Sequence, residues 1–374
     1  MTASINIGPD IVTPKSDIRI LGVQIDTHLR WGPHVRRIQE KMTRQTQALN
    51  RTSASTWGAT LARSRQIYAA VIRPAITYGA TVWYTPSDAP GHRKGLTKKL
   101  EVIQNKALRV VSGTFKTTPV RFLENETSTP PIRLHLDELQ AGARLRLTRG
   151  DGGKIVESAC EKIRNRLRGT RGRRARVVKT PGMEKKEWLQ QILQSDINAQ
   201  HGCITSDAPI TENRAPGDTA KTFLRNNFRK RWEREWLEYS HGADPRTEPA
   251  RSAVCEKKDT LRRHEGLTKA ESSLAIQLRT GRVGLADYLY KRRVPGFESP
   301  ACSCGWGRQT IHHVIMFCPT WAIDRRWMLT AAGSNDVGQI LTTNKGLRAV
   351  TRWLIISGVL GQFSLAREQL SDEA

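Results

Sequence analysis

Residues 18–50, IRILGVQIDTHLRWGPHVRRIQEKMTRQTQALN, change their hydrophobic period midway, and that change decides the fold class. Residues 18–26 alternate apolar and polar side chains in their first half and then reach Gly22, the pattern of a short strand pair. From Trp31 onward the period is helical. Trp31, Val35, Ile38, Met42 and Leu49 recur at spacings of three, four or seven and make one apolar face, while Arg36, Arg37, Lys41 and Arg44 line the others. The default meaning is a core-facing stripe with a solvated basic back.

Helical patterning continues outward from this stretch. A second helix is expected over about 57–73, ended by Pro74, and a third over 96–111 on Leu100, Ile103, Ala107 and Val110. A fourth runs from Pro131, a residue favoured at helix starts, to about Arg149. Further on, TFLRNNFRKRWEREWLEY (222–239) offers Phe223, Phe228, Trp232 and Trp236 as a stripe that suits a core better than a base-stacking surface. Residues 200–220, rich in Asp, Pro, Gly and Thr, read as a boundary.

The 374 residues, 38% hydrophobic, are enough for at least one sizeable core. Lys and Arg number 61 against 35 Asp and Glu, a formal net charge of +26, which points to an anionic polymer, RNA or DNA, as partner. An acidic membrane surface would require an amphipathic basic helix or a lipid anchor, and neither is evident. The first twenty residues lack a secretory pattern, and the apolar run 353–363 is too short to span a bilayer. A nuclear or cytoplasmic protein, not secreted and without a membrane span, is expected.

Charge is densest over 154–179, where ten basic residues face only Glu157 and Glu161. Lys162, Arg164, Arg166, Arg168, Arg171, Arg173, Arg174 and Arg176 fall in this block, which reads as a flexible basic segment able to hold phosphates. A solvated linker or a nuclear-import signal fits the same composition.

Six cysteines are too few for a disulfide scaffold, but three of them cluster in PACSCGWGRQTIHHVIMFCP (300–319). Cys302, Cys304, Cys318 and one of His312 or His313 make a Cys3His set, which suits tetrahedral zinc in a structural site with no open position for a catalytic water. The one-residue gap between Cys302 and Cys304 is tighter than usual zinc spacing, and three cysteines packed among Val314, Ile315 and Phe317 are the competing reading. Trp306 is placed either to stack on a base or to cap the small core.

Several strings occur in a family order: LGVQIDTHLRW (21–31), then His34 and Lys41, IYAAVIRPAITYGATVWY (67–84), IQNKALRVVSGTFKTTP (103–119) and LRTGRVGLADYLYKRRVPGFESPACSCG (278–305). Together, from about residue 17 to 325, they resemble the reverse transcriptase of LINE-type, non-long-terminal-repeat retrotransposons, particularly Tad-like and I/Jockey-like elements. The resemblance implies that Leu21, Gly22, Val23 and Asp26 mark the end of the palm, that the helices after them form a thumb, and that Cys302, Cys304, His313 and Cys318 form a zinc knuckle. His313 is favoured because it fits the family's four-residue gap before the last cysteine. The family's paired aspartates have no match, because the chain contains no Asp-Asp pair. Neither the amino-terminal endonuclease nor an RNase H domain is matched.

The expected fold is therefore mainly α. After a disordered segment 1–16 come palm-end strands and a thumb-like bundle (17–150), then a basic flexible linker (151–220). A helical region with the knuckle (221–330) and a helical tail (331–374) follow. The expected function is nucleic-acid binding without a catalytic centre, with no small-molecule substrate and with Lys41 and Trp306 joining the basic block as contacts. The alternatives are the carboxyl-terminal half of a working RNA-directed DNA polymerase whose palm is encoded upstream, and a domesticated interaction scaffold, which concentrated Lys disfavours.

Overall fold

A computed structural model describes residues 5–13, 15–89, 91–149, 154–155, 158–159, 161–162, 165, 217–241 and 257–372. The protein is mostly helical, with two small antiparallel hairpins at its start. Strands β1 (Ile5–Ile7) and β2 (Asp10–Val12) pair where the sequence suggested disorder; three ladder pairs bring together short β-branched runs too brief to register as a pattern. Strands β3 (Asp17–Ile20) and β4 (Val23–Asp26) are the pair foreseen around Gly22. Their two-residue turn needs positive φ at both positions, and Leu21 (46°) and Gly22 (84°) supply it. A Cβ on Gly22 would also meet the Tyr78 ring at 3.0 Å, and the Tyr78 hydroxyl donates to the Leu21 carbonyl at 2.8 Å.

The helices are α1 (Gly32–Thr52), α2 (Leu61–Ile67), α3 (Arg73–Thr77), α4 (Ala80–Trp83), α5 (Lys94–Ser112), α6 (Val120–Glu126), α7 (Ile132–Arg149), α8 (Gly217–His241), α9 (Lys257–Arg262), α10 (Lys269–Arg279), α11 (Ala286–Lys291), α12 (Ala322–Ala332), α13 (Val337–Thr342), α14 (Asn344–Ile356) and α15 (Ser364–Asp372). Pro74 does not end the second predicted helix. A π turn over Tyr68–Ile72, in which the Arg73 amide reaches back five residues to the Tyr68 carbonyl, precedes it and lets the helical path run on to Thr77.

The chain divides into two compact units that interleave along the sequence. The first draws on Met1–Lys41, Ala75–Glu101 and Ile132–Arg231, the second on Met42–Pro74, Val102–Pro131 and Trp232–Ala374. The long helices α1, α5 and α8 each supply residues to both units.

In the first unit Asp26 organises the passage from β4 into α1. Its carboxylate accepts the amides of His28 (3.2 Å), Arg30 (2.9 Å) and Trp31 (2.6 Å), holding Leu29 and Trp31 in left-handed backbone. The Arg30 amide is the chief reason this carboxyl sits below its ordinary value. Elsewhere in the unit the buried Gln140 of α7 donates to the carbonyls of Ala80 and Tyr84, both at 2.7 Å. Asp137 accepts from the Tyr84 hydroxyl and the Ser87 amide, both at 2.9 Å. Ala89, Ala141, Leu224 and Phe228 form a small apolar cluster beside these bonds. Leu224, not Phe223, occupies the buried stripe of α8, since 224, 228, 232 and 236 repeat every four residues and Phe223 stays half-buried.

The second unit is built around α10, whose eleven residues are all buried, charged ones included. Thr268 and Glu271 close a reciprocal capping box at its start, and the second Glu271 oxygen accepts from Arg352 at 2.8 Å. Lys269 donates to the carbonyls of Val110 (3.1 Å) and Val111 (2.5 Å) near the end of α5, and burial pushes its pKa down to about 7. At the other end Arg279, fully buried, donates to the equally buried Glu126 at 2.9 Å and to the Leu341 carbonyl. Around this helix the apolar residues of α12, α13, α14 and α15 share one core with Leu274, Ala275 and Leu278. Residues 331–374, expected as a helical tail, contribute to that core: Val350 and Leu354 of α14, Phe363 in the turn before α15 and Ala366 of α15 are buried in it. Among the described residues no single helix is long and apolar enough to cross a membrane.

Burial would raise the Glu126 carboxyl, but Arg279 and then His264 outweigh it and bring the pKa down to about 2 from 4.5. A depressed carboxylate pKa contributes stability that is present above 4.5 and lost as pH falls toward about 2. Arg279→Met, which strands this carboxylate in the core, is expected to cost about 3–5 kcal/mol in urea unfolding at pH 7. The acid loss of stability between those two pH values should shrink in Glu126→Gln. An Arg279→Met midpoint equal to wild type would remove the pair from this role.

Candidate metal centre

The cluster is assembled by a tight loop and a distorted helix. Ala301 and Arg308 form an antiparallel bridge, the Cys302 amide donates to the Gly307 carbonyl at 2.8 Å, and the Gly305 amide to the Cys302 carbonyl at 3.0 Å. Gly305 (φ 79°) and Gly307 (φ 92°) take left-handed backbone that lets the loop turn back within so few residues. This is how a one-residue spacing between Cys302 and Cys304 still turns both sulfurs to one place.

The opposite wall starts at a π turn over His313–Phe317, where the Cys318 amide donates to the His313 carbonyl at 2.8 Å. In a regular α-helix, positions five apart would point about 140° away from each other. The wider turn and the extended Cys318 that ends it bring His313 and Cys318 to the same side. Val314 and Ile315, fully buried between them, anchor the turn in the core of the second unit.

The result is four ligand atoms within 4.8 Å of one another: the sulfurs of Cys302, Cys304 and Cys318 and a ring nitrogen of His313. Cys302 and Cys318 are 3.8 Å apart between sulfurs, and Cys304 lies 3.3 Å from His313 Nε2. A tetrahedron with metal–sulfur bonds of about 2.3 Å has edges of about 3.8 Å, so the spacing suits one four-coordinate ion. This set can hold a metal ion. His312 is outside the cluster, exposed, with its ring 5.0 Å from that of Phe317.

The thiols of the cluster differ in their electrostatics. Burial pushes the Cys302 thiol up to about 11, with the Cys304 and Cys318 thiols adding to the rise. Burial acts on Cys304 in the same sense, but the Trp306 amide and the neighbouring thiols outweigh it, and this thiol sits below its ordinary value. The Trp306 amide donates to Cys304 Sγ at 3.3 Å, a bond that supports a thiolate ligand. Supporting contacts fix the loop from outside. Arg308 reaches Asp287 at 2.6 Å, Lys291 reaches the same carboxylate at 2.6 Å, and Gln309 accepts the Ala286 amide at 2.8 Å. Asp287 and Gln309 were not singled out by sequence; the four-residue spacing of Asp287 and Lys291 was the only available signal.

The residues expected to touch nucleic acid are distributed differently. Trp306 is 77% exposed in the second unit, Lys41 is exposed in the first, and Lys162 is exposed. Arg164, Arg166, Arg168, Arg171, Arg173, Arg174 and Arg176 lie outside the described residues.

Comparison with known proteins agrees with part of the resemblance. Over 116 residues, 30% of the chain, the sequence is 28% identical to a Drosophila melanogaster protein named "Probable RNA-directed DNA polymerase from transposon BS". The chain spans about 12% of that protein's length. No family model matches the chain, and no solved structure matches it. The likeness supports a reverse-transcriptase-like origin.

The purified chain is expected to carry one metal ion, lost in Cys302→Ser, Cys318→Ser and His313→Ala and kept in His312→Ala. Metal content by mass spectrometry checks this, and equal metal in all four variants would remove the cluster as a site. Since the ligands must be deprotonated, the metal should also be released as pH falls.

Proposed function

We propose that the chain is a nucleic-acid-binding part of a LINE-type retrotransposon reverse transcriptase, corresponding to the end of the palm, a thumb-like helical unit, a basic linker and a zinc knuckle. The observation that carries this reading is the gathering of Cys302, Cys304, His313 and Cys318 into one tetrahedral-sized set with an exposed Trp306 in its loop. The ion that suits three thiolates and an imidazole is zinc, in a structural role. Residues Lys41, Lys162 and the arginines of 164–176 would hold phosphates, and Trp306 would stack on an unpaired base. In this reading the chain has no polymerase centre, since it contains no paired aspartates to bind two catalytic metals.

A second reading makes the chain the carboxyl-terminal half of a working RNA-directed DNA polymerase. Its support is the small share, 12%, of the transposon polymerase that the chain spans. An in-frame palm with paired aspartates immediately 5′ of the Met1 codon in genomic DNA would favour it.

Binding of a fluorescein-labelled single-stranded RNA should weaken steeply with salt, by roughly two and a half to four orders of magnitude between 50 and 200 mM if six to ten phosphates are neutralised. Affinity indifferent to salt would overturn nucleic-acid binding as the function.

A further inference from the structure

Helix α12 presents an outward face that a solvated helix would not. Ile323 is 75% exposed and Trp327 77% exposed, while Met328 and Ala332 pack into the core of the second unit. Positions 323, 326, 327 and 330 fall within about 100° around the helix. The exposed face therefore combines Ile323, Arg326, Trp327 and Thr330. Just before α12, Phe317 is 63% exposed, and Arg325 ties the helix to the end of the π turn by donating to the Cys318 carbonyl at 2.9 Å. Large aromatics left in water on a core-forming helix mark a place where something docks.

Charge indicates what docks there. Residues 291–327 hold six basic side chains against Glu298 and Asp324. Asp287 takes up Lys291 and Arg308, whereas Arg292, Arg293 and Arg326 are exposed. With a formal net charge of +26 on the chain, an exposed Arg326 beside the Trp327 indole favours an anionic partner that carries bases.

We propose that the outer face of α12, with Trp327 and Arg326 at its centre and Phe317 at its edge, is a stacking platform for single-stranded nucleic acid. This rests on the nucleic-acid-binding reading above and extends it to a surface separate from the Trp306 loop. One nucleotide base would lie on the Trp327 indole while Arg326 takes the adjoining phosphate.

The test uses the full metal-loaded chain and a labelled 12-nucleotide single-stranded RNA, with anisotropy read across a salt series. Trp327→Ala should weaken binding by roughly 5- to 150-fold, the loss for one base–aromatic stack, with an unchanged salt slope. Trp327→Phe should keep most of the affinity, and Arg326→Gln should lower the salt slope by about one. Because Trp327 is exposed, the thermal melts should superimpose on wild type. Salt-dependent binding by wild type that Trp327→Ala leaves intact overturns the platform alone. Absence of RNA binding by wild type overturns the parent reading and the platform with it. A concentration-dependent dimer in sedimentation that Trp327→Ala abolishes would assign the face to a second copy of the chain and overturn the platform.

Discussion

A helix buried on every side must neutralise whatever charge it carries, and α10 carries Lys269, Glu271 and Arg279 into the core of the second unit. An unpaired charge there would cost several kcal/mol. Each is met by a different device: carbonyls of α5 for Lys269, a capping box and Arg352 for Glu271, and the Glu126 carboxylate of α6 for Arg279. These partners come from segments more than a hundred residues apart as well as from adjacent ones. The polar bonds fix direction and register, while Leu274, Ala275 and Leu278 supply the apolar area against α14 and its neighbours.

The metal cluster inherits its geometry from that core. Val314 and Ile315 are held in it, so the π turn between His313 and Cys318 cannot relax without losing buried surface. The facing loop is fixed by Arg308 and Gln309, which bond Asp287 and the Ala286 amide of α11, whose preceding residues Val283 and Leu285 are in the same core. A bound ion would then join two walls that are already close, 3.8 Å between the Cys302 and Cys318 sulfurs, and would supply the positive charge that buried thiols lack. Trp306 and Phe317, within the stretch that forms the cluster, are side chains this packing leaves outside.

The first unit also relies on side chains that bond backbone groups. Beside its buried apolar residues, among them Val35, Ile38, Ile76, Trp83, Leu100 and Leu136, the carboxylates of Asp26 and Asp137 and the amide of Gln140 fasten backbone groups. Asp26 is informative because the LGVQID string reads, on its face, as a strand with a terminal acid. In the structure that acid is a clasp for three amides leading into α1.

The sequence by itself determined the helical class, the hairpin at Gly22, the extent of α1, α5 and α7, and the metal set up to the choice between two adjacent histidines. Each of these depends on local spacing: a period of two or 3.6, a glycine at a turn, or cysteines and a histidine within seventeen residues. Only the tertiary structure decided the rest. It carried the helical path past Pro74, because a π turn is set by packing and not by composition. It selected His313 over His312 for the cluster, because the same kind of turn aims one ring inward. It joined α10 to α6 through Glu126 and Arg279, a pairing across 153 residues that no local pattern encodes. Finally, it separated Trp232 and Trp236, which are buried, from Trp306 and Trp327, which are not. Hydrophobic periodicity describes a helix face but not what covers it, and that distinction depends on segments distant in the chain.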